Sequence, residues 1–281
     1  MLRPIHATET GRKFYEAYRP LIALSNIKRS GAILCGYFGT EERDKLLDRS
    51  VEGPFFKNRV QSDQEHCDEL KNIVFLLSVF YPWMFRQPDG EYERYGGHYR
   101  FYLLHFLVTI HELGELGTGD IPDDGTRDNE AKDKDEFAFI ENYLIKAGFP
   151  PALVNLGVGL MREMQATKEL KGEDQTELGV IGTQIDKCGA ILKNFILEAE
   201  GKKGSMNYKD VSALDRSHME YTGNDSPVDN WFYHTLVIYP IFFDEKYWKY
   251  TAVFLEIIQS FSLAIRGKEI GWLNDFIASH N

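Results

Sequence analysis

Three segments of this chain carry residue types that can do chemistry at helical spacing. The densest is His111-Glu112-Leu113-Gly114-Glu115-Leu116-Gly117-Thr118-Gly119-Asp120. His111 and Glu115 are four residues apart, Glu112 and Glu115 three apart, so on a helix all three side chains share one face. The residues before them are strongly apolar, and an imidazole with two carboxylates at the buried end of such a helix is costly unless paired or bound to a metal. Asp120 falls just past the glycines, where the chain turns and can point back toward the same spot. His66 follows Gln61, Ser62 and Glu65 near the start of another apolar-periodic segment. Asp186 is flanked by Gly182 and Gly189, positions small enough for another helix to approach closely.

Three helices that each offer one or two N or O ligands make a divalent-metal site. Imidazole with carboxylate suits Mn, Fe, Co, Ni or Zn, and Mg is less natural beside two His ligands. Each residue also has a plainer reading. A buried His66 can hydrogen-bond a backbone carbonyl, Glu112 and Glu115 can form a solvated helix face, and Asp186 can pair with Lys187 or a neighbouring helix. Spacing alone leaves both sets of readings open.

The elements that must position these residues are helical. Ser62-x-x-Glu65 has the form of a capping box, and Leu70, Ile73, Val74, Leu77 and Phe80 behind it predict a helix over 63–83. Leu103, Leu104, Leu107, Ile110 and Leu113 form the stripe of a second helix, ended by Gly117 and Gly119. Further helices are expected over 131–147, 152–167 (opened by Pro150-Pro151) and 174–198, the last with Leu178, Ile181, Ile185, Cys188, Leu192 and Phe195 in a three-four repeat. Pro20 is expected to open an early helix that stops near Gly31, and a short charged helix is expected around Glu41–Asp48. Arg86–Gly97, 121–130 and Gly201–Asn230 read as irregular, and 245–265 and 268–279 as helices. No alternation of strands with helices is present, so the expected fold class is all-α.

With 43 acidic against 32 basic residues in 281, the formal net charge is −11. That balance argues against a partner such as polymeric nucleic acid, which requires a basic face; a small phosphorylated ligand needs only a few local cations. The apolar stretches Trp231–Phe243 and Thr251–Ile265 fall short of the roughly 20 residues of a membrane span. Cys35, Cys67 and Cys188 are far apart without metal-finger spacing and read as reduced thiols. The expectation is a soluble cytoplasmic protein with no membrane association; Cys67 and Cys188 read as core.

The order of these segments resembles the HD-domain metal-dependent phosphohydrolases, in particular the branch containing bacterial 5′-deoxynucleotidases. In that branch a Glu-His pair opens an early helix, His-Asp-x-x-Glu-x-x-x-Gly-Asp ends a later one, and a lone Asp lies on a further helix. Glu65-His66, the run from His111 to Asp120, and Asp186 within Gln184-Ile185-Asp186-Lys187-Cys188 fill those places in order. Arg59, seven residues before His66, matches a recurrent Arg, and Lys132–Ala138 is similar to the charged helix after the Gly-Asp. The likeness spans residues 20 to 200.

The resemblance implies that His66, His111, Glu112 and Asp186 hold one divalent metal ion (Mn, Co, Fe, Ni, Zn or Mg). It implies that Glu115 orients or deprotonates a water, that Asp120 assists at the leaving oxygen, and that Arg59 neutralises the substrate phosphate. The expected activity is hydrolysis of a nucleoside monophosphate or a similar small phosphate ester. Lys132, Lys134 and Lys187 are weaker candidates for that phosphate contact and are read first as solvated charges. The expected organisation is an HD-type core over 1–200 with an insertion near 32–57, and a loop with extra C-terminal helices over 201–281 packed on the same domain. Related proteins often form dimers, so a homodimer through the aromatic-rich C-terminal helices is the expected assembly.

This sequence departs from the family at position 112, where Glu replaces the Asp that gives the fold its name. The extra methylene demands a different rotamer or a shifted metal. The alternative function is therefore a catalytically weakened nucleotide- or metal-binding regulatory protein on the same scaffold.

Overall fold

A computed structural model describes residues 4–22, 63–85, 99–118, 129–168, 175–199 and 227–280. Among them every regular element is helical. In chain order the α-helices are α1 (Glu9–Ile22), α2 (Asp63–Phe80), α3 (Tyr99–Thr118), α4 (Asn129–Lys146), α5 (Pro151–Lys168), α6 (Glu177–Ala199), α7 (Pro227–Ile238), α8 (Glu245–Arg266) and α9 (Leu273–Ser279). Short 3-10 turns at Pro82–Phe85 and Pro240–Phe243 follow α2 and α7.

The apolar periodicities place these helices as expected. Leu70, Ile73, Val74 and Leu77 of α2, Leu103, Leu104, Leu107 and Ile110 of α3, and Ile181, Ile185, Cys188, Leu192 and Phe195 of α6 are all buried in one core. Helix α6 lies at its centre and packs against α2, α3, α5, α7 and α8. Each fully buried aliphatic or Phe side chain on these stripes contributes roughly 1.5–3 kcal/mol of transfer free energy. Cys67 and Cys188 are both buried; the Cys67 thiol donates to Thr109 O at 3.9 Å, and burial pushes the Cys188 thiol far up, so Cys188 is not a nucleophile as placed.

Three expectations change. Pro20 sits in the last turn of α1 rather than opening a helix, because that helix already starts at Glu9, behind the cap residue Thr8. The Thr8 carbonyl accepts from Arg12 N (2.9 Å) and its hydroxyl oxygen from Gly11 N (3.0 Å), satisfying the first free donors. The expected continuation toward Gly31, the short helix near Glu41–Asp48 and the insertion at 32–57 lie outside the described residues, as does Arg86–Gly97. Second, the stretch read as irregular up to Asn230 gives way to α7 at Pro227, a proline at the first helical position with Asp229 in the first turn. The Asp229 carboxylate accepts from Arg266 Nη1 at 2.6 Å, which ties α7 to the end of α8. The last helix is shorter than expected: Gly267, at φ 71°, ends α8, and Ile270 N donates to Gln259 Oε1 (2.6 Å) before α9 begins.

Helix α8 lies against both α1 and α6, so the first helix and the long C-terminal helix share the core with the middle of the chain. Tyr81, past the end of α2, donates to Glu256 of α8 at 2.8 Å, and Glu256 also accepts from the Thr8 hydroxyl. None of the helices among the described residues is long and apolar enough to cross a membrane.

A second polar cluster joins the start of α3 to α6 and α8. Buried Arg100 donates to Met84 O (3.1 Å), to Tyr250 Oη (2.9 Å) and to Glu177 Oε2 (2.8 Å), and Tyr250 donates to the same Glu177 oxygen (3.0 Å). Burial alone raises the Glu177 carboxyl, but the Tyr250 hydroxyl and the Arg100 and Lys249 cations outweigh it and hold the group below its ordinary value of 4.5. The folded state therefore binds this proton less readily than the unfolded chain. Glu177 contributes stability above the unfolded-state value, and that contribution is lost as pH falls through the folded one. Denaturant titrations of Glu177→Gln and the wild type should differ most at neutral pH, and the gap should close on acidification below 4.5. A gap independent of pH would remove this role.

Candidate functional site

The core face of α6 brings the three helices together. Gly182, Asp186 and Gly189 are four and then three residues apart, so they lie on one face. A Cβ on Gly182 would stand 2.7 Å from Leu107 Cδ2 of α3, and one on Gly189 would stand 2.9 Å from Leu70 Cδ2 of α2. Side chains at either position would push a neighbouring helix away, so the glycines set how close α2 and α3 come to Asp186. Two turns before Asp186, Gly179 is pressed against α5, where a Cβ would meet Glu163 O at 2.3 Å. Thr176 accepts from Gly179 N (3.1 Å) as it opens α6, and donates to Glu163 Oε2 at 2.6 Å. These contacts fix the register of α5 on α6 and bring Lys168, the last residue of α5, to Asp186.

His66, on the first turn of α2, and Asp186 are both buried. His66 Nε2 is 3.5 Å from Asp186 Oδ1, and His66 Nδ1 is 3.8 Å from Glu69 Oε2 one turn along α2. Glu69 Oε1 in turn pairs with Lys193 Nζ of α6 at 3.0 Å, and both side chains are at most 4% exposed. The other Asp186 oxygen, Oδ2, faces Lys187 Nζ at 3.0 Å and Lys168 Nζ at 3.8 Å.

His111 belongs to the same electrostatic cluster. Burial lowers its pKa well below the ordinary range, Lys168, His66 and Lys187 push the same way, and Asp186 opposes them. The imidazole is therefore neutral and able to act as a ligand at neutral pH. Burial alone would raise the Asp186 carboxyl, yet Lys187, Lys168, the His66 hydrogen bond and His111 together hold it well below the usual carboxylate range. It is ionised.

The remaining expected residues stand as follows. Glu112 and Glu115 lie on the helical backbone of α3, where residues 111, 112 and 115 share a face, and their side chains lie outside the described residues, as do Arg59 and Asp120. Lys187 pairs with Asp186, as the plainer reading of Asp186 expects, rather than standing as a solvated charge, and 26% of its side chain is exposed. Lys168, Glu69 and Lys193 were not singled out. Glu69 could have been found by its i, i+3 spacing from His66, and Lys193 by lying two turns beyond Asp186. Nothing local marks Lys168.

Two donors held by one ion at about 2.0–2.2 Å stand about 3.0–3.4 Å apart, and the 3.5 Å between His66 Nε2 and Asp186 Oδ1 is close to that span. The pair therefore fits a divalent ion in chemistry and in spacing. Among the described residues no three His, Cys, Asp or Glu side chains close on one point tightly enough to hold an ion.

Comparison with protein-family models, with curated proteins and with solved structures finds no match to this chain.

Proposed function

We propose that this protein is a divalent-metal-dependent phosphohydrolase with an HD-type helical core, acting on a nucleoside monophosphate or a similar small phosphate ester. The observation that carries the reading is the approach of His66 to Asp186, two buried groups 120 residues apart in the chain, with a neutral His111 in the same electrostatic cluster. The order of the motifs in the sequence supports it independently.

His66, His111, Glu112 and Asp186 would hold the ion. A divalent ion supplies Lewis acidity there, making water a nucleophile at neutral pH and drawing charge off the phosphoryl group. Glu115, one turn after His111, would orient or deprotonate the attacking water, and Asp120 would assist at the leaving oxygen, which takes up the proton that the water gives. The P–O bond to the alcohol breaks as the bond to water oxygen forms, leaving inorganic phosphate and the free alcohol. Arg59 offers a planar fork to the phosphate oxygens.

A second reading, a regulatory protein that binds nucleotide or metal without turnover, draws on one observation: Asp186 is already neutralised by two lysine cations. Phosphate release measured over a panel of nucleoside monophosphates with added Mn2+, Co2+ or Mg2+ separates the two. Hydrolysis of a subset of the panel is the expected result. Nucleotide binding without release under any of these ions would favour the regulatory protein.

A further inference from the structure

We propose that Glu69 is a positioning residue for His66: its carboxylate accepts the Nδ1–H of the ring and so presents the Nε2 lone pair to the ion shared with Asp186. The inference rests on the metallohydrolase reading and adds a residue that the motif pattern does not include.

His66 lies between two carboxylates that come from different helices. Its Nε2 is 3.5 Å from Asp186 Oδ1 of α6, and its Nδ1 is 3.8 Å from Glu69 Oε2 of α2. A neutral imidazole has one N–H donor and one lone pair. Once a divalent ion takes the Nε2 lone pair, the remaining proton is on Nδ1, the nitrogen that faces Glu69. The 3.8 Å separation is about 1 Å longer than a charge-assisted hydrogen bond, a gap that a small rotation of either side chain closes. Both residues belong to one turn of α2, at i and i+3, so no movement between helices is required.

Lys193 explains why Glu69 suits this task. Its Nζ is 3.0 Å from Glu69 Oε1, so the two oxygens of one carboxylate serve different partners. Pinned through Oε1, the carboxylate keeps Oε2 toward the ring. His66, Glu69 and Lys193 are all sealed in the core, so bulk solvent does not compete for that oxygen. A carboxylate behind a ligating histidine fixes its tautomer and orientation and raises its basicity, and losing such a partner costs about 10–100-fold in metal affinity. A Glu69 that only balanced Lys193 would act on stability alone, leaving the ring proton and the metal affinity unmoved by its loss.

The test uses the full chain with its histidines labelled with heavy nitrogen, and Zn2+, a diamagnetic ion, as the probe. Magnetic-resonance spectra that correlate ring nitrogens with ring hydrogens report the tautomer, and the His66 signals are identified by their loss in His66→Asn. Zn2+ should leave wild-type His66 with an Nδ1–H that exchanges slowly with water and shows a nuclear Overhauser contact to the Glu69 side chain. Glu69→Gln keeps side-chain size, yet its Zn2+ affinity should fall about 10–100-fold and its Nδ1 proton should exchange faster. Lys193→Met removes the cation and keeps the carboxylate, so it should retain the Nδ1–H and bind Zn2+ more tightly than Glu69→Gln does. Zn2+ bound through Nδ1, with the proton on Nε2, would overturn the proposal. So would wild-type Zn2+ affinity and proton exchange in Glu69→Gln. Where Glu69→Gln fails to fold, the wild-type tautomer and its contact to Glu69 decide alone. A wild-type chain that binds no Zn2+, or binds it with the His66 signals unmoved, would instead overturn the ligand set of the metallohydrolase reading, and this inference with it.

Discussion

His111→Ala and Asp186→Asn should each abolish stable divalent-metal binding and phosphate release while the protein remains folded and helical. Asp186 supplies the ionised oxygen of the cluster, held in that state by Lys187, Lys168 and His66 against the cost of burial. His111 supplies a neutral imidazole. Loss of an outer hydrogen-bonding partner to a metal ligand already costs about 10–100-fold in affinity or activity, and loss of a ligand should exceed that. Far-ultraviolet circular dichroism checks the fold, and metal stoichiometry after dialysis checks the site. Asp186→Asn keeps side-chain size, so a folding defect in that variant would not come from packing. Full metal content in both variants would remove these two residues from the ligand set.

The largest expected effect on stability lies a few ångströms deeper. Lys193→Met should lower unfolding free energy by about 3–5 kcal/mol, the scale for stripping one partner from a buried ion pair. The cost comes from Glu69, which would keep a buried carboxylate whose 3.0 Å partner has gone. Replacing both residues, as Lys193→Met with Glu69→Leu, should recover most of the loss, because a well-packed apolar pair is often as stable as a buried ionic one. Urea titration of the single and double variants measures this. A Lys193→Met variant within about 0.5 kcal/mol of wild type would mean that the pair contributes nothing, as is common for exposed bridges. The double variant also removes the carboxylate 3.8 Å from His66 Nδ1. Its metal affinity can therefore fall even where its stability returns.

Much of the framework was legible in the sequence because it depends on local periodicity. The stripes of α2, α3 and α6 needed only three-four spacing of Leu, Ile and Val, and Pro150-Pro151 marked the start of α5 within a residue. Gly182 and Gly189 around Asp186 signalled close helix approach, and Leu107 and Leu70 are what approach. Pro20 has the form of a helix opener, but it falls inside α1, whose cap is the Thr8 hydroxyl. Helix α7 was missed because its proline start lies at the end of a Gly- and Asp-rich stretch that resembles a loop.

What the sequence does not reveal is register between helices. Lys168 reaches Asp186 because Gly179 lets α5 sit on α6 with Glu163 O almost against it, and no pattern within α5 announces that. Lys187 reads as an ordinary surface charge beside an acid. Only the burial of Asp186 shows that its neighbouring ammonium is drawn inward.

The central claim is that His66, His111 and Asp186 serve one divalent ion. Its most direct test is elemental analysis of the purified full-length chain, followed by Mn2+ titration of the chelator-treated protein. About one divalent ion per chain, lost in His111→Ala and Asp186→Asn, is the predicted result. A wild-type chain that holds no ion and takes up no Mn2+ would contradict the claim, leaving Asp186 as a carboxylate paired with Lys168, Lys187 and His66.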